Sequence, residues 1–249
     1  MAAAKPRIRI GTAGWSIPRQ HGDAFSDGDS VLARYATALD AAEINSSFYR
    51  PHQASTYARW AATVPAEFRF SAKLPKTISH ELALRRAGPT LDRFLEEVAG
   101  LGRKLGGLLL QLPPSLAFDA RTAANFFAML RRRTELPVTC EPRHASWFAP
   151  PADALLLRYR VARAAADPAR VPAAAVPGAD PAWPYFRWHG SPRIYYSAYE
   201  DPALQALAAQ VRAWAKGRQR PWVIFDNTAH GFAIRDALRL KALLAGPIG

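Results

Sequence analysis

Short apolar runs alternate with helical stripes through nearly the whole chain, the pattern of βαβ units that build a parallel sheet. Eight runs read as strands, beginning near Arg7, Ala41, Glu67, Gly107, Pro137, Arg160, Pro184 and Trp222. The helices between them show their own period. Ser30 is placed to cap a helix that turns Leu32, Tyr35 and Leu39 inward, and Pro65 stops the next, which carries Tyr57 and Trp60. Gly88-Pro89 opens a third with Leu91, Phe94, Leu95, Val98 and Leu101 at spacings of three and four, closed by Gly106. Asp119 caps a fourth with Phe126, Phe127 and Leu130, and Asp201-Pro202 is a cap followed by a first-turn proline. Leu204, Leu207, Val211 and Trp214 form that helix's stripe, and a final helix follows Gly231.

Eight strands with interleaved helices predict a TIM-like (β/α)8 barrel, and 249 residues are what one such domain, 1–249, fills. Regularity is expected to fail between strands six and seven. Residues 168–183 contain four prolines, with Pro184 directly after them, so the crossover helix there is short or missing. A long irregular loop is compatible with a barrel when it forms a lid or covers one end. An open doubly wound sheet is the alternative fold.

Period-two alternation sets which side chains share a strand face. Glu43 pairs with Asn45, Glu141 with Arg143, and Arg187 with His189, each pair closing its strand. Lys73, Gln111, Asp167 and Asp226-Asn227 end other strands, and Trp15 follows the first. Polar chemistry therefore gathers at the C-terminal rim, where barrel active sites lie because the βα loops converge there. Such charges are costly unless paired, so an ion-pair network that plugs the mouth and catalyses nothing is the bland reading. All six histidines, His21, His52, His80, His144, His189 and His230, fall in loops or at strand ends.

Composition narrows the chemistry. The single cysteine, Cys140, excludes an internal disulfide and any multi-cysteine metal site. No signal-peptide segment or bilayer-length apolar run is apparent, so a cytoplasmic protein without a membrane partner is expected; oligomeric state stays open. The net charge of +13 points to an acidic partner, nucleic acid or a phosphate-bearing ligand. Arginine outnumbers lysine and alanine is abundant, which a GC-rich coding sequence produces without functional demand. The basic triplet Arg131–Arg133 suits a helix C-terminus.

The runs GTAGWS, EINSSFYR, FSAKLPKTISHE, LLLQLPPS, CEPRHASW, RWHG and IFDNTAHGFA, spread over residues 11–233, closely resemble motifs of the domain-of-unknown-function 72 (YecE-like) family. The resemblance implies a barrel with no agreed activity. It places Glu43, Asn45, Phe48, Tyr49, Lys73, His80, Gln111, Glu141, Arg143, Ser146, Trp147, Arg187, His189, Gly190 and Asn227 in the family signature. Ser47 stands where the family often has threonine, and Asp226 where it often has asparagine.

The candidate catalytic set is Glu43, Lys73, His80, Glu141 and His189. The candidate substrate-binding set is Trp15, Asn45, Tyr49, Gln111, Arg143, His144, Trp147, Arg187, Arg193 and Asn227. Two carboxylates can divide acid and base roles when their environments separate their pKa values. Bidentate arginine pairing would instead make Glu43 and Glu141 structural. Arg187, His189, Arg193, Asn227 and main-chain N–H groups near Gly190 and Gly231 form a candidate anion site. Lys73 either forms a Schiff base or, more blandly, pairs with Glu43.

No compact histidine metal motif occurs, and rim cations oppose one, so no metal is expected. Ser146 lacks a nucleophile elbow and G-T-A-G lacks dinucleotide spacing, so no redox cofactor is expected either. The expected function is acid–base chemistry of hydrolase or lyase type on a small polar or phosphorylated compound. The alternative is a nucleic-acid-associated protein using its basic surface.

Overall fold

The computed structural model describes residues 8–217 and 219–246. Strands β1 (Arg9–Ala13), β2 (Ala41–Ile44), β3 (Arg69–Lys73), β4 (Leu105–Gln111) and β5 (Val138–Glu141) pair in parallel and in chain order. The start expected near Arg7 lies outside the described residues. Next come β6 (Val161–Arg163) and β7 (Ala165–Asp167), separated only by Ala164. Their run pairs through β6 with β5 and through β7 with β9 (Tyr185–Trp188). β10 (Trp222–Phe225) then joins β9 to β1. The interrupted strand 161–167 thus closes an eight-membered barrel, with β8 (Gly178–Ala179) attached antiparallel to β6.

Seven α-helices among the described residues lie outside: α1 (Val31–Ala38), α2 (Ala54–Thr63), α3 (Gly88–Val98), α4 (Ala120–Arg131), α5 (Pro150–Arg158), α6 (Asp201–Ala215) and α7 (Phe232–Ala245). Ser30 and Asp119 cap as expected, accepting hydrogen bonds from the N–H groups of Ala33 and Thr122. Asp201 does not cap. It lies inside α6 after Glu200 and pairs with Arg239 instead. Sequence patterning gave no sign of α5, whose stretch PPADALLLR is short and opens on two prolines.

The predicted irregularity is present. Between β7 and β9 the chain forms a 3-10 turn at Pro172–Ala175 and the short β8, with no α-helix among the described residues. Arg163 anchors this segment, donating to both carboxylate oxygens of Asp153 and to the Ala173 carbonyl. Near its end, Trp183 enters the barrel interior.

Two apolar layers result. The larger lies between strands and helices. The smaller fills the lower interior with Ala41, Ala164, Trp183, Tyr185, Trp222 and Ile224. Its rings pack edge to face, with Trp183 5.0 Å from Tyr185 and 5.6 Å from Trp222. β4 makes room for them at two glycines. A Cβ on Gly106 would fall 2.6 Å from the Trp222 ring, and one on Gly107 2.5 Å from the Trp183 ring. Gly106 is therefore not the helix stop that its sequence position suggested. The irregular crossover seals the N-terminal end of the barrel, and polar side chains are left to fill the other.

Candidate functional site

Alternation along β9 turns Tyr185, Arg187 and the following His189 into the barrel above the tryptophans. Arg187 is wholly buried, and three carboxylates from three other strands converge on it. Its Nε and Nη2 hold Glu43 (2.8 Å from Nη2 to Oε1), Nη1 holds Glu141 Oε2 at 3.1 Å, and Nη2 lies 3.0 Å from Asp226 Oδ2. Tyr185 adds a hydroxyl at 2.9 Å to Glu43 Oε2 and lies 2.8 Å from Ser71 Oγ. Glu141 Oε1 also accepts from Gln111 and, at 3.0 Å, from Arg143 Nε. The planar fork of arginine suits such multiple carboxylate contacts.

Burial disfavours the charge of Glu141, yet Arg187, His189 and Arg143 outweigh it and hold the carboxyl well below its usual range. Asp226 is lowered in the same way: burial opposes its charge, and Arg187 with His189 overcomes it. Both are therefore ionised at neutral pH. A general-acid role for Glu141 does not fit, because it has no proton to give.

His189 bridges these two acids. Its Nδ1 is 3.0 Å from Asp226 Oδ2 and its Nε2 3.2 Å from Glu141 Oε1. A neutral ring would aim one bare lone pair at a carboxylate, so the geometry calls for the imidazolium, which donates on both sides. Burial opposes that charge, but Glu141 and Asp226 raise the pKa above the ordinary histidine value. Tyr195, held at φ +71° in the left-handed region, sets its ring edge-on to this histidine.

The opposite side of the mouth is organised differently. Lys73 ends β3 with only 3% of its surface exposed. Its ammonium lies 4.0 Å over the Phe48 ring and forms no ion pair or hydrogen bond among the described residues. The expected pairing with Glu43 is absent because Arg187 and Tyr185 already occupy that carboxylate. Burial, and then Arg187, lowers the Lys73 pKa to about 8, against the partial support of Glu43, Glu141 and Asp226. His80 sits beside it, edge-on to Phe48 at 5.1 Å, with Ser79 Oγ 2.8 Å from its Nδ1. Desolvation and the charges of Lys73 and Arg143 lower its pKa, so it is neutral near pH 7.

The mouth thus brings together Glu43, Lys73, His80, Gln111, Glu141, Arg143, Arg187 and His189. Asn45 follows β2 with its Oδ1 buried and unpartnered, and Tyr49 is 68% exposed against Phe48. Other expected binding residues belong elsewhere. Trp15 packs on Trp60 of α2 and on Phe70 in the strand–helix layer. His144 caps the 3-10 turn Ala145–Phe148, accepting from the Ser146 N–H. Trp147 is buried, its indole N–H on the Leu116 carbonyl.

The groups expected to form an anion site have other partners. Arg187 is already surrounded by carboxylates, and Arg193 stacks on Tyr196 at 4.2 Å. The Gly190 N–H donates to Tyr199 Oη and the Gly231 N–H to the Thr228 carbonyl. Asn227 Nδ2 ties the Ser197 carbonyl to Asp236 of α7.

Tyr185, Ser71 and Asp236 were absent from the expected set, and so was Asp226, which was named as a polar strand end and as a departure from the family pattern. YFRWH carried the missing signal, since alternation that groups Arg187 with His189 also brings Tyr185. Asp236 is fully buried, and its pKa is pushed up to about 6 by burial, despite hydrogen bonds from Asn227 and the Tyr199 N–H.

Among the described residues, no group of three or more His, Cys, Asp or Glu side chains is arranged to hold a metal ion. Arg187 fills the place between the three carboxylates that a cation would need. A cavity of about 430 Å3 lies outside the barrel, lined by Leu84, Arg85, Arg86, Arg121, Phe126 and Met129 among others, and it shares no residue with the mouth. No helix among the described residues is long and apolar enough to cross a membrane.

Known proteins resemble this chain along its length. A family model described as "Protein of unknown function DUF72" matches residues 9–247. The UPF0759 protein YecE of Escherichia coli (strain K12) is 31% identical over 143 residues, 57% of this chain and 50% of that protein. The UPF0759 protein YunF of Bacillus subtilis (strain 168) is 23% identical over 150 residues, 58% of this chain and 53% of that one. The match thus spans about half the length of these curated relatives. Among solved structures, a DUF72 family protein of Enterococcus faecalis V583 superposes with a TM-score of 0.79 at 24% identity, covering 97% of this chain and 99% of its own. One from Thermotoga maritima MSB8 gives 0.80 at 21%, covering 96% and 100%. These likenesses bear on the fold.

Proposed function

The chain belongs to the DUF72 family of proteins of unknown function, and from that premise we propose that it is an enzyme of hydrolase or lyase type, performing acid–base chemistry on a small polar or phosphorylated compound at the C-terminal rim. One observation carries this reading. Lys73 is a buried amine that lacks an ion-pair partner among the described residues, although three carboxylates stand in the same mouth. A structural network would have paired it, because an isolated buried ammonium is costly. A base or nucleophile must instead keep its lone pair available near neutral pH.

The residues then divide by role. Lys73 accepts a proton or attacks, and neutral His80 beside it relays protons. Arg143, with 19% of its side chain exposed, draws an anionic group toward the mouth. Glu43, Glu141, Arg187, His189 and Asp226 are positioning residues that fix the field beneath.

The test is turnover of a panel of sugar phosphates, hydroxy acids, oxo acids and their esters, followed by 1H and 31P NMR. Consumption of one member, reduced at least about 100-fold by Lys73→Met, is expected. Full turnover by that variant would remove the reading. The net charge of +13 favours a second reading, nucleic-acid association. Tight oligonucleotide binding that weakens steeply with salt and survives Glu141→Gln would support it in place of the first.

A further inference from the structure

We propose that Lys73 is a nucleophile that forms an imine with a small aldehyde or ketone bearing an anionic group, which makes the site an imine-forming lyase. This rests on the acid–base reading above and names its substrate class.

The geometry meets three demands of that chemistry. First, the attacking nitrogen needs a free lone pair, and Lys73 is the mouth cation whose charged end no carboxylate holds; Arg187 and Arg143 are both paired. Second, the amine needs a fixed direction in a dry place. The face of Phe48 lies 4.0 Å from it, and Lys73 is almost fully buried. Third, the cationic imine needs stabilisation that does not neutralise the amine beforehand. Glu43 from β2, Glu141 from β5 and Asp226 after β10 supply negative charge beyond ion-pair distance, while burial and Arg187 from β9 oppose full protonation. The backbone is held as well, since Ser47 Oγ lies 2.7 Å from the Lys73 carbonyl oxygen and 2.9 Å from that of Ile44, tying the ends of β2 and β3.

The step balances without a redox partner. The Lys73 nitrogen pair attacks the carbonyl carbon and the C=O pair moves to oxygen, giving a carbinolamine. Two proton transfers release that oxygen as water and leave a C=N+ bond. In a β-hydroxy substrate the bond between the α and β carbons then breaks. Its pair flows into the iminium to give an enamine, while the β-hydroxyl loses its proton to His80 and departs as an aldehyde carbonyl. Protonation of the enamine carbon and addition of water return the ketone or aldehyde product and free Lys73. Nothing is oxidised or reduced overall.

Reductive trapping tests this. The full chain is incubated at about pH 7.5 with glyceraldehyde 3-phosphate or with pyruvate, each with sodium cyanoborohydride, and its peptides are mapped by mass spectrometry. The chain has six lysines, so the sites separate cleanly. The proposal expects Lys73 to be modified at least about tenfold faster than the other five, and Lys73→Arg, shown folded by circular dichroism, to lose that adduct. Labelling by both probes spread over Lys76, Lys104, Lys216 and Lys241 with Lys73 untouched would overturn it. Turnover in the metabolite panel without trapping at Lys73 removes the imine but leaves the proton-transfer reading. Neither turnover nor trapping removes both.

Discussion

Arg187 and Lys73 are buried cations at the mouth of one barrel, and they are held in opposite ways. Arg187 meets three carboxylates at hydrogen-bond distance, whereas Lys73 has an aromatic face and, among the described residues, no carboxylate partner. The same fold therefore contains a satisfied charge network and, beside it, an unsatisfied charge. The satisfied part explains how three acids survive burial. The unsatisfied part has no structural advantage and is where chemistry is expected.

The largest effect should come from breaking the satisfied side. Arg187→Met leaves Glu43, Glu141 and Asp226 buried without their shared partner, and removing one member of a buried pair alone costs about 3–5 kcal/mol. That rivals the stability of a typical domain, so urea unfolding should show a protein that is mostly unfolded or insoluble. Arg187→Lys keeps the charge but loses the fork, and its loss should be smaller. Equal stability of wild type and Arg187→Met would mean that the network does not organise the mouth.

The unsatisfied side should respond with the opposite sign. A lysine pKa near 8 instead of 10.5 means that burial penalises its charged form, by roughly 3 kcal/mol at neutral pH. Lys73→Met should raise stability by that order and Tm by several degrees, while abolishing reductive trapping. A destabilised variant would show that the ammonium is held by something favourable.

The smallest effect is the pH dependence. His189 has its folded pKa raised by Glu141 and Asp226 against burial. Its stabilising contribution is complete below the unfolded histidine value and fades as pH rises through the folded one. Lys73 acts the other way, adding stability as pH rises from about 8 toward 10.5. Urea unfolding from about pH 6 upward in a Lys73→Met background should show stability falling as pH passes the ordinary histidine value, and His189→Gln should flatten the decline.

Much of the barrel could be read in the chain because each strand carries its own alternation and each polar pair closes a strand. Glu43, Glu141, Arg187 and His189 meet for that reason. The loops gave less, since a position just past a strand end does not fix where its side chain turns. His144 folds back to cap a turn, Trp147 enters the apolar layer, and Trp15 meets α2. The proline-rich crossover was visible as a break, but its use of Trp183 to fill the lower barrel depends on Gly106 and Gly107, three strands away around the barrel. The choice of Arg187 over Lys73 by Glu43 was beyond the sequence. It depends on which cation can bring several donors to one carboxylate, and only the assembled barrel shows that Tyr185 and the guanidinium arrive first.

The contrast between the two cations is tested most directly by titrating Lys73 itself. Protein labelled with 13C at the lysine side-chain carbons, with Lys73 assigned by comparison with Lys73→Arg, gives its protonation curve by NMR. A midpoint near 8 is expected, well below those of the exposed lysines. A midpoint at or above the ordinary 10.5 would show a paired, permanently charged Lys73 and contradict it.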